Sequence, residues 1–189
     1  MYRERFPDAA APAVRWLPFQ LNPDLPEEGI ARSEYLRRKF GNPNRSYAHV
    51  AGVGASVGIP FAFDRIAVQP NTVNAHRLMH YADQHGRQDE MAEELFRAYF
   101  LEGANLTDKE TLAQVGARAG LDHDDVAQYL AGEADRDVIA HADIEARSAG
   151  IGGVPFFIFN RRVGVSGAQE PETLLDAMVQ AEKETSTAA

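Results

Sequence analysis

Hydrophobic spacing changes twice along this chain, and these changes limit the folds that it can adopt. Residues 14–21 are rich in β-branched and aromatic side chains, which predicts a strand. From residue 33 to residue 145, apolar residues recur mainly at helical intervals. Residues 156–159 and 163–165 are short apolar runs that predict a β-hairpin. Two β segments that flank a long helical block predict an α/β core that carries a helical subdomain.

The helical block contains separate amphipathic segments. One helix face is predicted by apolar residues at the i, i+3, i+4 and i+7 spacing, namely Ala75, Leu78, Met79 and Ala82. Thr107, with Glu110 three residues later, has the pattern of a capping box and predicts that a helix begins there. Asp122 is the predicted cap of the next helix. After the hairpin, Pro171 is predicted to lie in the first turn of a final helix.

The composition excludes several classes of function. No cysteine is present among the 189 residues, so they contain no disulfide, no thiolate metal site and no cysteine nucleophile. The 28 acidic residues outnumber the 19 basic residues, and the formal net charge of −9 argues against nucleic acid and anionic membranes as partners. The first ten residues lack the apolar core of a signal peptide, and no apolar run is long enough to span a membrane. We therefore expect a cytoplasmic location.

Two histidines have a spacing that can hold zinc. His76 and His80 lie four residues apart on a predicted helix. However, Arg77 follows His76 where a metalloprotease motif has a glutamate, and no third ligand is evident. The sequence therefore predicts ordinary histidines here, with no metal site and no cofactor.

The most specific segment of the chain is the sequence GIGGVPFFIF at residues 150–159. Pro155 stands directly before an apolar strand, where it removes a backbone donor and restricts the conformation of Val154. Two glycines precede this pair and permit a tight approach to the strand. The pattern by itself fits a cis peptide bond, and it also fits a loop-to-strand junction with a trans proline.

Several motifs, in the same order, resemble the FrnE branch of the DsbA-like proteins. Residues 153–159, the basic turn that follows, and residues 165–169 resemble the cis-proline hairpin of that family. Residues 15–23 resemble its second strand and following loop, and residues 34–41 and 74–78 are also similar. The resemblance covers nearly the whole chain. It implies a thioredoxin-like α/β fold of the DsbA type with an inserted helical subdomain.

This resemblance also implies a domain division and a function. The thioredoxin-like core would comprise residues 1–29 and 150–189, and residues 30–149 would form the helical insertion. In the family, a Cys-x-x-Cys turn at a helix N-terminus supplies a thiolate that exchanges with a substrate disulfide. The implied activity is that of a thiol–disulfide oxidoreductase, and the implied partner is a thiol or disulfide peptide or a glutathione-like small thiol. The backbone before the proline would pair with that partner, which assigns substrate binding to Val154 and Pro155.

A second pair of residues is implicated by more distant relatives. Ser166 and Gly167 resemble the turn with which kappa-class glutathione transferases and 2-hydroxychromene-2-carboxylate isomerases hold the γ-glutamyl end of glutathione. Backbone N–H groups that precede a helix suit a carboxylate. Ala168 and Gln169 stand where those relatives often place an acidic residue, and the turn also fits a simple helix cap.

Compared with the family pattern, the first strand and its Cys-x-x-Cys turn are missing, and the chain as written is expected to be redox-inactive. We expect that the sequence starts late, at an internal methionine. The alternatives are a cysteine-less binding module and a glutathione-dependent isomerase or transferase of the kappa-like branch. Without the first strand, the strands near Trp16 and Phe157 would expose their edges, which favours association into homo-oligomers.

Overall fold

The structure is a computed structural model that describes residues 2–7, 10–41 and 43–187, including all of their side chains except those of residues 43–46 and 185–187. Contacts between Cα atoms divide the chain into two units. The smaller unit combines Met1–Arg15 with Asp143–Ala189, and the larger unit is Trp16–Ala142. The larger unit is therefore a continuous segment, whereas the smaller unit is built from both ends of the chain.

The described elements are mostly helical. In chain order they are α1 (Tyr2–Arg5), β1 (Ile30–Ala31), α2 (Arg32–Phe40), α3 (Pro43–Ser56), a 3-10 turn (Phe63–Arg65), β2 (Val68–Gln69), α4 (Val73–Gln84), α5 (Gln88–Phe96), a π-helical segment (Arg97–Glu102), α6 (Lys109–Arg118), α7 (His123–Ala131), α8 (Arg136–Ser148), β3 (Phe156–Phe159), β4 (Val163–Ser166) and α9 (Pro171–Thr187). The boundary between the two units falls within α8. Among the described residues, no helix has both the length and the apolar character needed to cross a membrane.

The hydrophobic core of the larger unit lies among α4, α5, α6 and α7. Leu78, Met91, Leu112, Val126 and Leu130 are completely buried in it. The predicted face of α4 is confirmed, since Ala75 and Ala82 are also buried and Met79 packs against the same cluster. Burying several large aliphatic side chains, each of which stabilises by roughly 1.5–3 kcal/mol, makes this helical cluster the main source of stability in the unit.

A short ribbon that the sequence did not predict joins two parts of the larger unit. Strands β1 and β2 are antiparallel and pair Ile30 with Gln69 and Ala31 with Val68. Gly29 precedes β1 with a φ of +74°, and a Cβ atom at this position would lie 2.5 Å from the carbonyl oxygen of Gln69. Only glycine fits such a close approach of two backbones.

The predicted strand at residues 14–21 is wrong, because these residues pair with no other strand and form no regular element. Instead, a side chain satisfies the backbone of Trp16. The N–H of Trp16 donates to Gln88 Oε1 at 2.9 Å, and Gln88 Nε2 donates to the carbonyl oxygen of Trp16 at 3.0 Å. The indole Nε1 also donates to Asp89 Oδ1 at 2.7 Å. The first residues of α5 therefore supply the hydrogen bonds that a neighbouring strand would otherwise supply to Trp16.

The capping prediction at Thr107 is also wrong, by one residue. Asp108 is the cap of α6, and its Oδ2 accepts from the backbone N–H of Thr111 at 3.1 Å. Thr107 lies one residue before this cap, and its hydroxyl donates to Asn105 Oδ1 at 2.8 Å. In contrast, the predicted cap of α7 is confirmed, since Asp122 accepts from two backbone N–H groups of the first turn.

The C-terminal prediction is confirmed in the smaller unit. Strands β3 and β4 form an antiparallel hairpin, and α9 begins at Pro171 and packs on both strands. Leu175, Ala177 and Ala181 are the buried residues of α9. The predicted division into residues 1–29 with 150–189 and an insertion of residues 30–149 concerns segments of a family fold rather than contact units, and it stays a prediction.

Arg77 organises the connection between α7 and α8 from inside the larger unit. Its side chain is fully buried, with 0% exposure. Nη2 donates to the carbonyl oxygens of Tyr129 at 3.0 Å and Gly132 at 2.9 Å, and Nε donates to that of Ala134 at 2.7 Å. Nη1 donates to Asn74 Oδ1 at 2.9 Å. One guanidinium thus supplies donors to three carbonyl groups that no helix satisfies.

Replacing Arg77 with methionine should destabilise the larger unit by about 2–3 kcal/mol, because several part-buried acceptors lose their donor while the apolar stem is kept. The urea midpoint followed by far-UV circular dichroism measures this loss. The matched control is Arg37→Met on the exposed side of α2, which we expect to change stability by no more than about 0.5 kcal/mol. Equal effects of the two substitutions would contradict the role of Arg77.

His123 should titrate above its ordinary pKa of 6.5. Hydrogen bonds to Asp124 (Oδ1 at 2.9 Å from Nδ1) and to Glu110 (Oε1 at 3.1 Å from Nε2) raise the pKa of His123, because both ring nitrogens face acceptors and these acceptors favour the doubly protonated ring. Protonated His123 stabilises the folded state. This stabilisation is complete below the pKa that His123 has in the unfolded chain, and it is lost as the pH rises through the higher pKa of the folded protein. An NMR titration of the imidazole checks this, and Glu110→Gln should lower the measured pKa whereas the remote Glu133→Gln should not.

Candidate functional site

The loop between α8 and β3 carries the segment that the sequence singled out. Two hydrogen bonds finish α8, from the N–H of Gly150 to the carbonyl oxygen of Arg147 and from that of Ile151 to Ala146, both at 3.0 Å. Gly150 has a φ of +84°, which turns the chain sharply away from the helix axis. The chain then reaches Pro155, and the peptide bond that precedes this proline is cis.

The hairpin brings the four predicted site residues together. The register pairs Phe156 with Ser166 and Phe157 with Val165. Pro155 directly precedes β3, and its carbonyl oxygen accepts from the N–H of Gly167 at 2.9 Å. Val154 and Pro155 therefore lie directly beside Ser166 and Gly167, at the end of the hairpin opposite its turn.

This register also determines which backbone groups remain open. In an antiparallel ladder, bonded pairs alternate with pairs whose N–H and C=O groups point away from the partner strand. Because Pro155 and Gly167 form a bonded pair, the backbone groups of Phe156 and Ile158 point to the outer edge of β3. In the described part of the chain, no strand pairs with this edge, and no hydrogen bond is made by the backbone of Val154.

The two faces of the hairpin differ in their side chains. Phe157 and Phe159 stack with ring centroids 6.4 Å apart on the face that also carries Val163 and Val165. On the other face, Val154 is 48% exposed and Ile158 is 47% exposed. The open edge of β3 is therefore flanked by apolar side chains that are accessible to a ligand.

A side chain within the turn beside the loop forms a hydrogen bond to the backbone of the same turn. Gln169 Nε2 donates to the carbonyl oxygen of Ser166 at 2.9 Å, and Gly167 has a φ of +83°. The N–H of Gly167 is already used by Pro155, so it is not free to bind a ligand carboxylate. Neither the Gln169 bond nor the Gly167 bond was assigned a role from the sequence. The first depends on the local conformation of the turn, and the second depends on the register of the hairpin.

The site contains no group that could transfer a proton at neutral pH. Residues 150–159 and 163–167 include no Asp, Glu, His, Lys, Arg, Tyr or Cys. The arrangement can therefore bind a ligand through backbone hydrogen bonds and apolar contacts, but it supplies no acid, base or thiolate for chemistry. Ser166 carries the one polar side chain of these two segments, and no residue of the two segments could act as its general base.

The structure gives the histidine pair no metal partner. His80 Nε2 lies 3.0 Å from Gln84 Nε2. Across the residues that the structure describes, no three or more His, Cys, Asp or Glu side chains are grouped so that they could hold a metal ion.

Comparisons with known proteins identify one family and two similar proteins. The family described as DSBA-like thioredoxin domain matches residues 3–179. An uncharacterized protein of Bacillus subtilis (strain 168), YwbO, is 26% identical over 154 residues, which cover 79% of this chain and 73% of that protein. The crystal structure of a probable DsbA oxidoreductase from Streptomyces coelicolor is similar, with a TM-score of 0.79 and 30% identity over 88% of this chain and 74% of that one.

Gly167→Ala should destabilise the smaller unit by about 1–2 kcal/mol, because an L-residue is disfavoured at a φ of +83°. The added Cβ has room, since its nearest neighbour would be Gln169 Nε2 at 3.6 Å, so the cost is conformational. Urea unfolding measures it, and hydrogen exchange at residue 167 reports the bond to Pro155. The control is Gly152→Ala, which meets nothing within 4 Å and has no positive φ. Equal losses for both variants would refute this assignment.

Proposed function

The chain belongs to the DSBA-like thioredoxin domain family, and we propose that its proline hairpin is the substrate-binding part of a DsbA-type thiol–disulfide oxidoreductase. The predicted family and the predicted thioredoxin-like fold of the DsbA type are confirmed. The 189 residues contain no cysteine. These residues can bind a thiol or a disulfide. Without a cysteine they cannot exchange with it, because exchange requires an attacking thiolate.

The unpaired backbone of Val154, directly before the cis-proline and continuous with the open edge of β3, is the observation that carries this proposal. The unpaired backbone at Val154 and the outward groups of Phe156 and Ile158 form a row of donors and acceptors. An extended peptide can add to such an edge as a further strand, with its backbone supplying the complementary groups. The exposed side chains of Val154 and Ile158 would then contact alternate side chains of the peptide.

Charge favours one kind of peptide over another. The chain has a net charge of −9, and the site itself contains no cationic side chain. A basic peptide is therefore attracted by the protein as a whole, an acidic peptide is repelled, and a neutral peptide is neither attracted nor repelled. We infer that the preferred ligand is an extended, neutral or basic segment of a cysteine-containing protein.

Glutathione is the weaker candidate for this site. Its γ-glutamyl carboxylate would need free N–H groups at the turn of Ser166 and Gly167. The Gly167 N–H donates to Pro155, and the Ser166 carbonyl accepts from Gln169. These internal bonds support peptide binding along β3 over carboxylate binding at the turn. Membership of the FrnE branch and self-association through the same edge stay predictions.

The test is an NMR titration of the labelled protein with a capped, cysteine-free, lysine-containing peptide of extended sequence. We expect saturable shifts and slower amide exchange at Val154, Phe156 and Ile158. Val154→Lys should weaken binding about fivefold, since two like charges about 4 Å apart in water repel by about 1 kcal/mol. Val138→Lys is the control, because Val138 has a similar exposure of 42% and lies on α8, away from the hairpin in sequence.

The possible results separate the candidates. Loss of peptide binding in Val154→Lys alone supports the proposal. Equal weakening by Val138→Lys, or no saturable shift along β3, contradicts it. Shifts at residues 166 and 167 with oxidised glutathione, and none with the peptide, would favour the glutathione-dependent alternative.

A further inference from the structure

A second arginine of the larger unit is buried without a compensating charge. Arg32 is the first residue of α2, and it is only 8% exposed. Among the described residues, no carboxylate forms an ion pair with it. A buried guanidinium is ordinarily paired with an anion, because removing a charge from water is costly. The protein therefore maintains an uncompensated positive charge inside the fold.

The surroundings of Arg32 hold the guanidinium in place without neutralising it. Nη1 donates to Oε1 of Gln69, which is a neutral amide. The guanidinium carbon lies 4.8 Å from the ring centroid of Tyr47 and 5.4 Å from that of Tyr35. The backbone N–H of Arg32 donates to the carbonyl oxygen of Ala67 at 2.8 Å. Two aromatic faces and one amide thus fix the position of the cation.

One edge of this guanidinium remains open. In the part of the chain that the structure describes, Nε and Nη2 make no hydrogen bond. Neither nitrogen is completely sealed from solvent, although Arg32 as a whole is only 8% exposed. Nε and Nη2 form the side of the fork that presents two parallel N–H groups to a carboxylate or a phosphate.

The tyrosine beside the guanidinium brings a second cation into the same cluster, since Lys39 Nζ lies 5.3 Å from the ring centroid of Tyr35. Lys39 Nζ donates to the Tyr35 hydroxyl oxygen at 2.8 Å, which leaves the proton of that hydroxyl available to another acceptor. Burial raises the pKa of Tyr99 to about 12, and the charge of Arg32 acts on it in the opposite direction. Tyr99 therefore stays protonated near Arg32 and adds no negative charge. The cluster of Arg32, Tyr35, Lys39, Tyr47 and Tyr99 is accordingly cationic.

We propose that the Nε and Nη2 edge of Arg32 is a binding site for the oxyanion of a small ligand, either a carboxylate or a phosphate group. The rings of Tyr35 and Tyr47 pack against the guanidinium and keep it rigid, so little conformational freedom is lost when the anion binds. The N-terminus of α2 adds positive potential, since its cap residue Ala31 has no side-chain acceptor. The proposal is independent of peptide binding at the hairpin.

Arginine side-chain NMR tests the proposal on the complete chain. The probes are inorganic phosphate and acetate, each titrated against chloride at constant ionic strength and pH. We expect the Nε–H resonance of Arg32 to shift saturably, with a Kd in the millimolar range of about 1–10 mM, as for a single bidentate contact. Chloride should produce no saturable shift, and a preference between the two probes shows whether a tetrahedral or a planar anion fits.

Two substitutions separate a specific site from general electrostatics. Arg32→Lys keeps the charge but loses the fork, and it should weaken binding about tenfold. Arg37→Gln removes an exposed charge from the same helix and should change the affinity by less than about twofold. The proposal is overturned if the Arg32 resonance does not shift saturably with either probe. It is also overturned if Arg37→Gln weakens binding as much as Arg32→Lys. If Arg32→Lys fails to fold, the titration of the unmodified chain decides the matter alone.

Discussion

Backbone N–H and C=O groups that lie outside regular helices and strands need partners, and in this protein side chains supply them at the points on which each unit depends. Arg77 provides donors for three carbonyl groups between α7 and α8. Gln88 offers one acceptor and one donor to Trp16, as a neighbouring strand residue would. Gln169 donates to one carbonyl group, that of Ser166, at the turn beside the proline loop. Leaving a buried backbone group unpaired costs about 1–3 kcal/mol, so the part-buried bonds of Arg77 matter most to stability, whereas those of Gln88 and Gln169 are exposed to solvent.

The accuracy of the sequence predictions follows from how far each feature depends on local pattern. The face of α4, the hairpin and the start of α9 depend on hydrophobic periodicity and proline, and they are confirmed. The strand at residues 14–21 is wrong because strand-like composition does not supply a partner strand, and Gln88 satisfies Trp16 instead. The cap of α6 is Asp108 rather than Thr107, because the Asp108 carboxylate accepts the backbone N–H of Thr111, while the Thr107 hydroxyl bonds to Asn105. A competition between side chains a few residues apart cannot be decided from spacing alone.

The candidate site shows the same division between local pattern and register. The sequence identified Val154, Pro155, Ser166 and Gly167 through motifs, and the structure places the two pairs side by side. Motifs could not reveal that the Gly167 N–H is used internally, because that depends on the pairing of Pro155 with Gly167. A site made of backbone groups and apolar side chains is tolerant of peptide sequence, since every peptide offers the same donors and acceptors.

Arg77 and Arg32 together show how a structural arginine differs from one that is available for binding. Both are buried in the larger unit, and both lie against tyrosine rings. Arg77 makes four hydrogen bonds to fixed acceptors, so an added anion would have to displace bonds that already exist. Among the residues that the structure describes, Arg32 donates from its side chain to Gln69 alone, and its Nε and Nη2 edge forms no hydrogen bond. The desolvation of Arg32 is thus incurred on folding, whereas the ion pair that would offset it forms only with a ligand. This difference in hydrogen bonding assigns the first arginine to stability and the second to binding.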